Sequence, residues 1–170
     1  SFDSSGNHLE LPASPLVFGE IGTESQHSFF QFLHQGIDKI PVEFLVPFEG
    51  RNAVGENKRA LKPHSRLIVN AIAQAEALIK GTQTNKEQYR NMTGNRPCTF
   101  ISWGKTNAES LGKLLSLYEN ATIVCGLLWG INSFAQWGVE LGKEISKNIY
   151  TGQNLEDLSY SARTMLKDIR

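Results

Sequence analysis

A chain of 170 residues with 40 % hydrophobic and 20 % charged content has the composition of an ordinary globular domain, and a chain of that size buries roughly 70 % of its unfolded surface in a core. Its 17 basic residues are cancelled by 17 acidic ones, which leaves neither the basic field that nucleic acid attracts nor an acidic tail for a cationic partner. The longest apolar run, Ile123 to Trp129, is too short to cross a bilayer, so neither nucleic acid nor membrane is an expected partner.

In chain order, the opening SFDSSGNHLE has no basic start followed by an apolar core, and no signal peptide is visible in it. Its polar beginning without Met reads as the start of a segment inside a longer parent sequence. Asp3, within FDSSGN, has the local pattern of a turn or cap residue. Loop-like sequence with Gly6, Pro12 and Pro15 leads to the apolar run Leu16 to Phe18. Residues 19–36, GEIGTESQHSFFQFLHQG, predict one helix. Thr23 and Gln26 have the form of a capping box at its start, and Gly36 is its stop. Helical spacing gathers Phe29, Phe32 and Leu33 on one side and His27, Gln31 and His34 on the other. The two histidines would then lie roughly 10 Å apart, too far to share a metal ion.

Val42 to Val46, ahead of Pro47, reads as a buried strand, and the polar, glycine-containing residues 48–63 as a loop. The clearest helix is Ser65 to Lys80, with Leu67, Ile68, Ala71, Ile72, Ala75, Leu78 and Ile79 at helical spacing and Gly81 after it. Residues 82–95 read as a loop, and CTFISW after Pro97 as a second strand. Thr106 with Glu109 suggests a capping box for a helix through Leu111, Leu114, Leu115 and Tyr118. Thr122 to Ile131 fits helix or strand equally by pattern. In SFAQWGVELGK (133–143), a helix sets Gln136 and Lys143 about 20° and roughly 10 Å apart on one face. Glu140 shares that face, and Trp137, Leu141 and Ile145 form a buried-type stripe opposite. Gly152 marks a break, and Asn154 is placed to cap a last amphipathic helix from Leu155 to Ile169. Strands that are continuous apolar runs, alternating with helices, argue for an α/β layered domain with a parallel sheet, incomplete at two or three strands. The predicted division is 1–150 for that domain and 151–170 for a C-terminal amphipathic helix. Cys98 and Cys125 have neither ligand nor disulfide spacing and read as reduced cytosolic thiols.

Several of these stretches together resemble the carboxy-terminal part of the phosphoglucose isomerases. GLLWGINSFAQWGVELGK (126–143) looks like that family's signature. GEIGTESQHSFFQFLHQG, TGNRP (93–97) and QAEALIKG (74–81) are similar to three more of its motifs. The resemblance implies a three-layer α/β/α sandwich of the sugar-isomerase type and a cytoplasmic homodimer. It implies interconversion of glucose 6-phosphate and fructose 6-phosphate by ring opening and enediol proton transfer, without cofactor or metal. By the same alignment Gln136 helps hold the substrate phosphate, Lys143 acts at the ring oxygen, and His27 shares ring opening from a neighbouring subunit. Asp3 takes the position of the family's glutamate base. Ala135 and Gly130 stand where the signature has polar or acidic residues. The family's amino-terminal half would supply the phosphate-binding loops and an arginine. A sugar-phosphate-binding or regulatory module that no longer catalyses is the expectation from the other class.

Overall fold

A computed structural model describes residues 2–49, 58–85 and 87–169. Contacts divide them into one unit of residues 14–121 and another of residues 1–13 with 122–170.

The first unit is built on two parallel strands, β1 (Val42–Glu49) and β2 (Cys98–Lys105), in register from Val42 opposite Cys98 to Glu49 opposite Lys105. β-Branched and aromatic residues fit a pleated, covered surface, and Phe44 and Phe100 stack across the ladder at 5.1 Å between ring centroids. The connection between the strands runs through α3 (Lys58–Lys80), as a parallel pair requires. Of the predicted loop 48–63, Phe48 and Glu49 belong to β1 and 58–63 to α3, while 50–57 lie outside the described residues. The helix therefore starts ahead of the predicted Ser65, within residues whose polar composition reads as loop.

The core is Phe30, Leu33 and Leu78, with Phe29, Ile40, Val42, Phe44 and Cys98 packed against it. α3 presents Ala75 and Leu78 to it, whereas Leu67, Ile72 and Ile79 of the predicted stripe remain exposed. The predicted helix over 23–35 is two helices, α1 (Gly22–Ser25) and α2 (Phe30–Gln35), with turns between. Two serines account for the break. Ser25 Oγ donates to the Gly22 carbonyl and Ser28 Oγ to the Ser25 carbonyl, and the amides of His27 and Ser28 reach back only three residues. Such side-chain bonds compete with the helical ladder. No capping box forms at Thr23, since Ile21 is the N-cap residue and makes no side-chain bond. The register of the buried face changes accordingly: Phe30 is 8 % exposed and Phe32 is 50 % exposed.

Two of the glycine-containing motifs meet where α3 ends. Gly81 and Gly94 both have φ of +66°, and a Cβ on Gly94 would lie 2.6 Å from the Lys80 carbonyl oxygen. The amides of Asn95 and Arg96 donate to the carbonyls of Ile79 and Leu78, and Thr82 and Met92 exchange both bonds. These bonds satisfy carbonyls that a helix C-terminus leaves open. From this knot the Arg96 side chain, 5 % exposed, reaches the end of α2. Its Nη1 donates to the Asp38 carbonyl at 2.7 Å, and its Nη2 to those of Gly36 and His34 at 2.6 and 3.0 Å. Gln35 Nε2 adds bonds to the carbonyls of Tyr89 and Asn91.

Burial, aided by the charge of Arg96, holds the His34 imidazole below its ordinary pKa of 6.5. On acidification the unfolded chain therefore takes up this proton first. The contribution of His34 to stability is complete above about pH 6.5 and declines as the pH falls from there towards the folded-state value. Urea midpoints measured from pH 7.5 to 5 are expected to fall, and His34→Gln to flatten the slope.

The cap of α4 (Ala108–Trp129) lies one residue later than predicted. Asn107 and Ser110 form the reciprocal pair, the Ser110 amide donating to Asn107 Oδ1 and the Asn107 amide donating to Ser110 Oγ, both at 2.9 Å. Thr106 instead accepts from Trp103 Nε1. Tyr118 Oη donates to Glu43 at 2.6 Å, and that bond is the main reason its phenol is pushed up to about 12. The ambiguous segment from Thr122 proves helical as far as Trp129, and α4 is one continuous helix.

Candidate functional site

Three of the four candidate residues belong to the unit of residues 1–13 and 122–170. α4 stops at Gly130, whose φ is +67°. Its amide donates to Leu127 and that of Ile131 to Gly126, the paired bonds of a Schellman end, for which glycine is the favoured residue. Gly130 therefore suits this backbone where the resembling signature has an aspartate. The chain then turns back on α4. Ser133 Oγ donates to the Thr122 carbonyl at 2.8 Å, and a Cβ on Gly126 would sit 1.8 Å from that hydroxyl oxygen.

The N-terminal turn is attached to the same place, through a bond from Ser4 N to the Gly130 carbonyl at 2.8 Å. Asp3 organises this turn. Its Oδ1 accepts from the amides of Ser5 and Asn7 at 2.9 and 2.7 Å, and its Oδ2 from Asn7 Nδ2 at 3.0 Å. These bonds, that from the Asn7 side chain foremost, hold the carboxyl below its ordinary range. The turn character expected of FDSSGN is thus present.

Six residues beyond Gly130, Gln136 is the N-cap residue of α5 (Trp137–Thr151), and its side chain makes no capping bond. The carboxamide is left exposed where the first amides of the helix have no intrahelical partner and the helix dipole is positive. Lys143 lies two turns further along the same face. It is exposed, and no ion pair engages it among the described residues. An open groove of about 640 Å³ runs beside it, lined by Val139, Gly142, Lys143, Ser146, Lys147 and Tyr150. Gln136 and Asp3 do not line this groove. The stripe of Trp137, Leu141 and Ile145 on the other face is exposed rather than buried. α5 ends at Gly152 with a second Schellman pair. Asn154 then precedes a short 3₁₀ turn, Leu155–Asp157, without capping it through its side chain, and α6 (Tyr160–Ile169) starts only at Tyr160.

His27 belongs to the unit of residues 14–121. It is exposed in the turns between α1 and α2, with its amide donating to the Glu24 carbonyl at 3.2 Å. Sequence reasoning passed over the groove residues Ser146 and Tyr150 and the buried Arg96. The spacing of 143, 147 and 150, one helical face, was the available signal for the groove. No periodicity could have marked Arg96, whose three acceptors lie about sixty residues away in the chain.

A family model described as phosphoglucose isomerase matches residues 1–164. A glucose-6-phosphate isomerase from Chlorobium luteolum is 38 % identical over 165 residues, covering 86 % of this chain and 29 % of the relative. One from Mesorhizobium japonicum is 41 % identical, covering 85 % of this chain and 29 % of its own. The crystal structure of a glucose-6-phosphate isomerase from Chlamydia trachomatis superposes with a TM-score of 0.78 at 33 % identity, covering 99 % of this chain and 32 % of that one. The chain thus spans about 30 % of the length of the relatives it matches.

Proposed function

The chain belongs to the phosphoglucose isomerase family, and we propose that it is the carboxy-terminal part of an enzyme that interconverts glucose 6-phosphate and fructose 6-phosphate. The observation that carries this reading is the polar face of α5, with an exposed carboxamide at the helix start and an exposed ammonium two turns below it. In this reading Gln136 and the first amides of α5 hold the phosphate, since a helix N-terminus favours an anion. Anchoring the phosphate fixes the reacting carbons against the catalytic groups. Lys143 assists proton movement and charge stabilisation at the ring oxygen as the ring opens, and His27 shares that step from a second subunit. The rest of the enzyme completes a three-layer sugar-isomerase sandwich and supplies further phosphate loops and an arginine for the enediolate. The assembly is a cytoplasmic homodimer without cofactor or metal, and the division at residue 150 separates its α/β part from a C-terminal amphipathic helix.

The test is isomerase turnover of fructose 6-phosphate by the purified chain alone and by the chain joined to the preceding part of its enzyme. Activity is expected only in the second sample. An inactive complete enzyme that still binds the sugar phosphate would replace this reading by that of a binding module.

Asp3 is the point on which the two readings divide. As the carbon base it would take the proton at the acceptor site that its three accepted bonds leave open on Oδ2, and a carboxyl held below its ordinary range is a weaker base. Asp3→Asn keeps an acceptor oxygen for the Ser5 and Asn7 amides while removing the basicity. A fall in kcat of about 10²- to 10⁴-fold, with loss of solvent-deuterium incorporation into product, is the expected result. Unchanged turnover and exchange would leave Asp3 with its turn alone.

A further inference from the structure

Arg96 buries a guanidinium that has no carboxylate partner among the described residues. Burying a cation carries a large desolvation cost, and an apolar side chain of similar volume often stabilises a protein as well or better. The cation therefore calls for an explanation other than stability. Its three acceptors are the carbonyls of His34, Gly36 and Asp38, at and just beyond the end of α2. A planar fork can meet such a fan of oxygens, which a single ammonium or an apolar chain cannot. Its own backbone is bonded to the last turn of α3 through the Leu78 carbonyl. Arg96 thus ties the end of one helix to the end of another, and α2 is the helix that His27 immediately precedes.

Between His27 and the clamped carbonyls the chain has little freedom. The amides of Gly36 and Leu33 are bonded to the carbonyls of Phe32 and Phe29, and that of Phe29 to Ser25, so bonded turns run along α2 into the turn that holds His27, and Phe30 and Leu33 sit in the core. A displacement of α2 at its C-terminal end is therefore carried to His27 about two turns away.

We propose that Arg96 is a positioning residue for His27, fixing the imidazole that acts in ring opening by clamping the far end of α2. The inference rests on the catalytic reading of His27 given above. It predicts a defect in the chemical step rather than in substrate binding, since the phosphate is held elsewhere. A misplacement of about 1 Å is enough to cost about a hundredfold in rate.

The test uses Arg96→Ala and Arg96→Lys in the complete enzyme, with folding followed by urea denaturation. In folded Arg96→Ala, kcat is expected to fall by about a hundredfold with KM within about threefold of wild type, and added guanidinium ion to restore part of kcat. Arg96→Lys, which keeps the charge but not the fork, is expected to lose about tenfold in kcat and not to respond to guanidinium. Wild-type kcat in either folded variant overturns the proposal, as does failure of both to fold, which would assign Arg96 to stability alone. If the wild-type enzyme shows no turnover, the functional reading fails instead. The clamp is then judged by the ring resonances of His27, which shift in Arg96→Lys if it positions that side chain and stay unchanged if it does not.

Discussion

Lys143→Ala in the complete enzyme is expected to lower kcat by about 10³-fold while leaving the protein as stable as before. Both halves of that expectation come from the same geometry. The ammonium is exposed and free of any ion pair among the described residues, so its removal costs no packing, and alanine is the best helix former for a position inside α5. Surface changes of this kind stay within about 0.5 kcal/mol. Lys143→Arg preserves the positive charge but offers a group too weakly acidic to exchange protons near neutrality, and bulkier beside the groove. It separates charge stabilisation from proton transfer: partial activity points to the first, inactivity comparable to Lys143→Ala to the second. Steady-state kinetics with a urea melt on each variant provide the measurement. Near-normal turnover of Lys143→Ala would remove this residue from the mechanism.

Gly94→Ala is expected to be a severely damaging methyl addition to the fold, at about 3 kcal/mol or more. Two independent penalties combine. An L side chain is strained at φ of +66°, and the added carbon would press against the Lys80 carbonyl and the Gly81 amide at 2.6 and 2.8 Å. Neither neighbour can give way, because both belong to the backbone at the end of α3. Gly81→Ala meets the same obstacle from the other side, at 2.3 Å from the Met92 carbonyl. Gly112→Ala is the control, since this glycine lies within α4 and a Cβ there meets nothing within 4 Å. It is expected to raise stability by roughly 0.5–1 kcal/mol through helix propensity. Chemical denaturation of the three variants decides the matter, and equal midpoints for Gly94→Ala and Gly112→Ala would contradict the interlocked glycines.

Where a sequence signal has a local physical cause, the structure follows it. Gly36, Gly81 and Gly152 end helices as expected, because a helix stop depends on a few neighbouring bonds. β1 and β2 come from apolar runs too short for helices of ordinary length. The misreadings share a different cause. One helix became two because serine hydroxyls, neutral in a periodicity count, took backbone carbonyls for themselves. α4 was split because residues 122–129 are apolar on every side and carry no period. The capping pairs at Thr23 and Thr106 have the right letters in the wrong frame, and Asn107 with Ser110 does the work one position along. The relation of Gln136 to Lys143 was legible because one helix fixes it. Arg96 was not, since its partners come together only when α2 and α3 are brought end to end.

The exposed face of α5 has an optical consequence. Trp137 is the first residue of that helix, next to Gln136, and is 73 % exposed, so its indole emits from a watery environment. Trp103, by contrast, is partly covered and hydrogen-bonded through Nε1 to Thr106. The emission of this chain therefore contains a red component whose most exposed source is Trp137, beside the proposed phosphate anchor, Trp129 being only 36 % exposed. Quenching of that component by iodide, an anion, reports how open the start of α5 is to solvent and to negative charge, without any label.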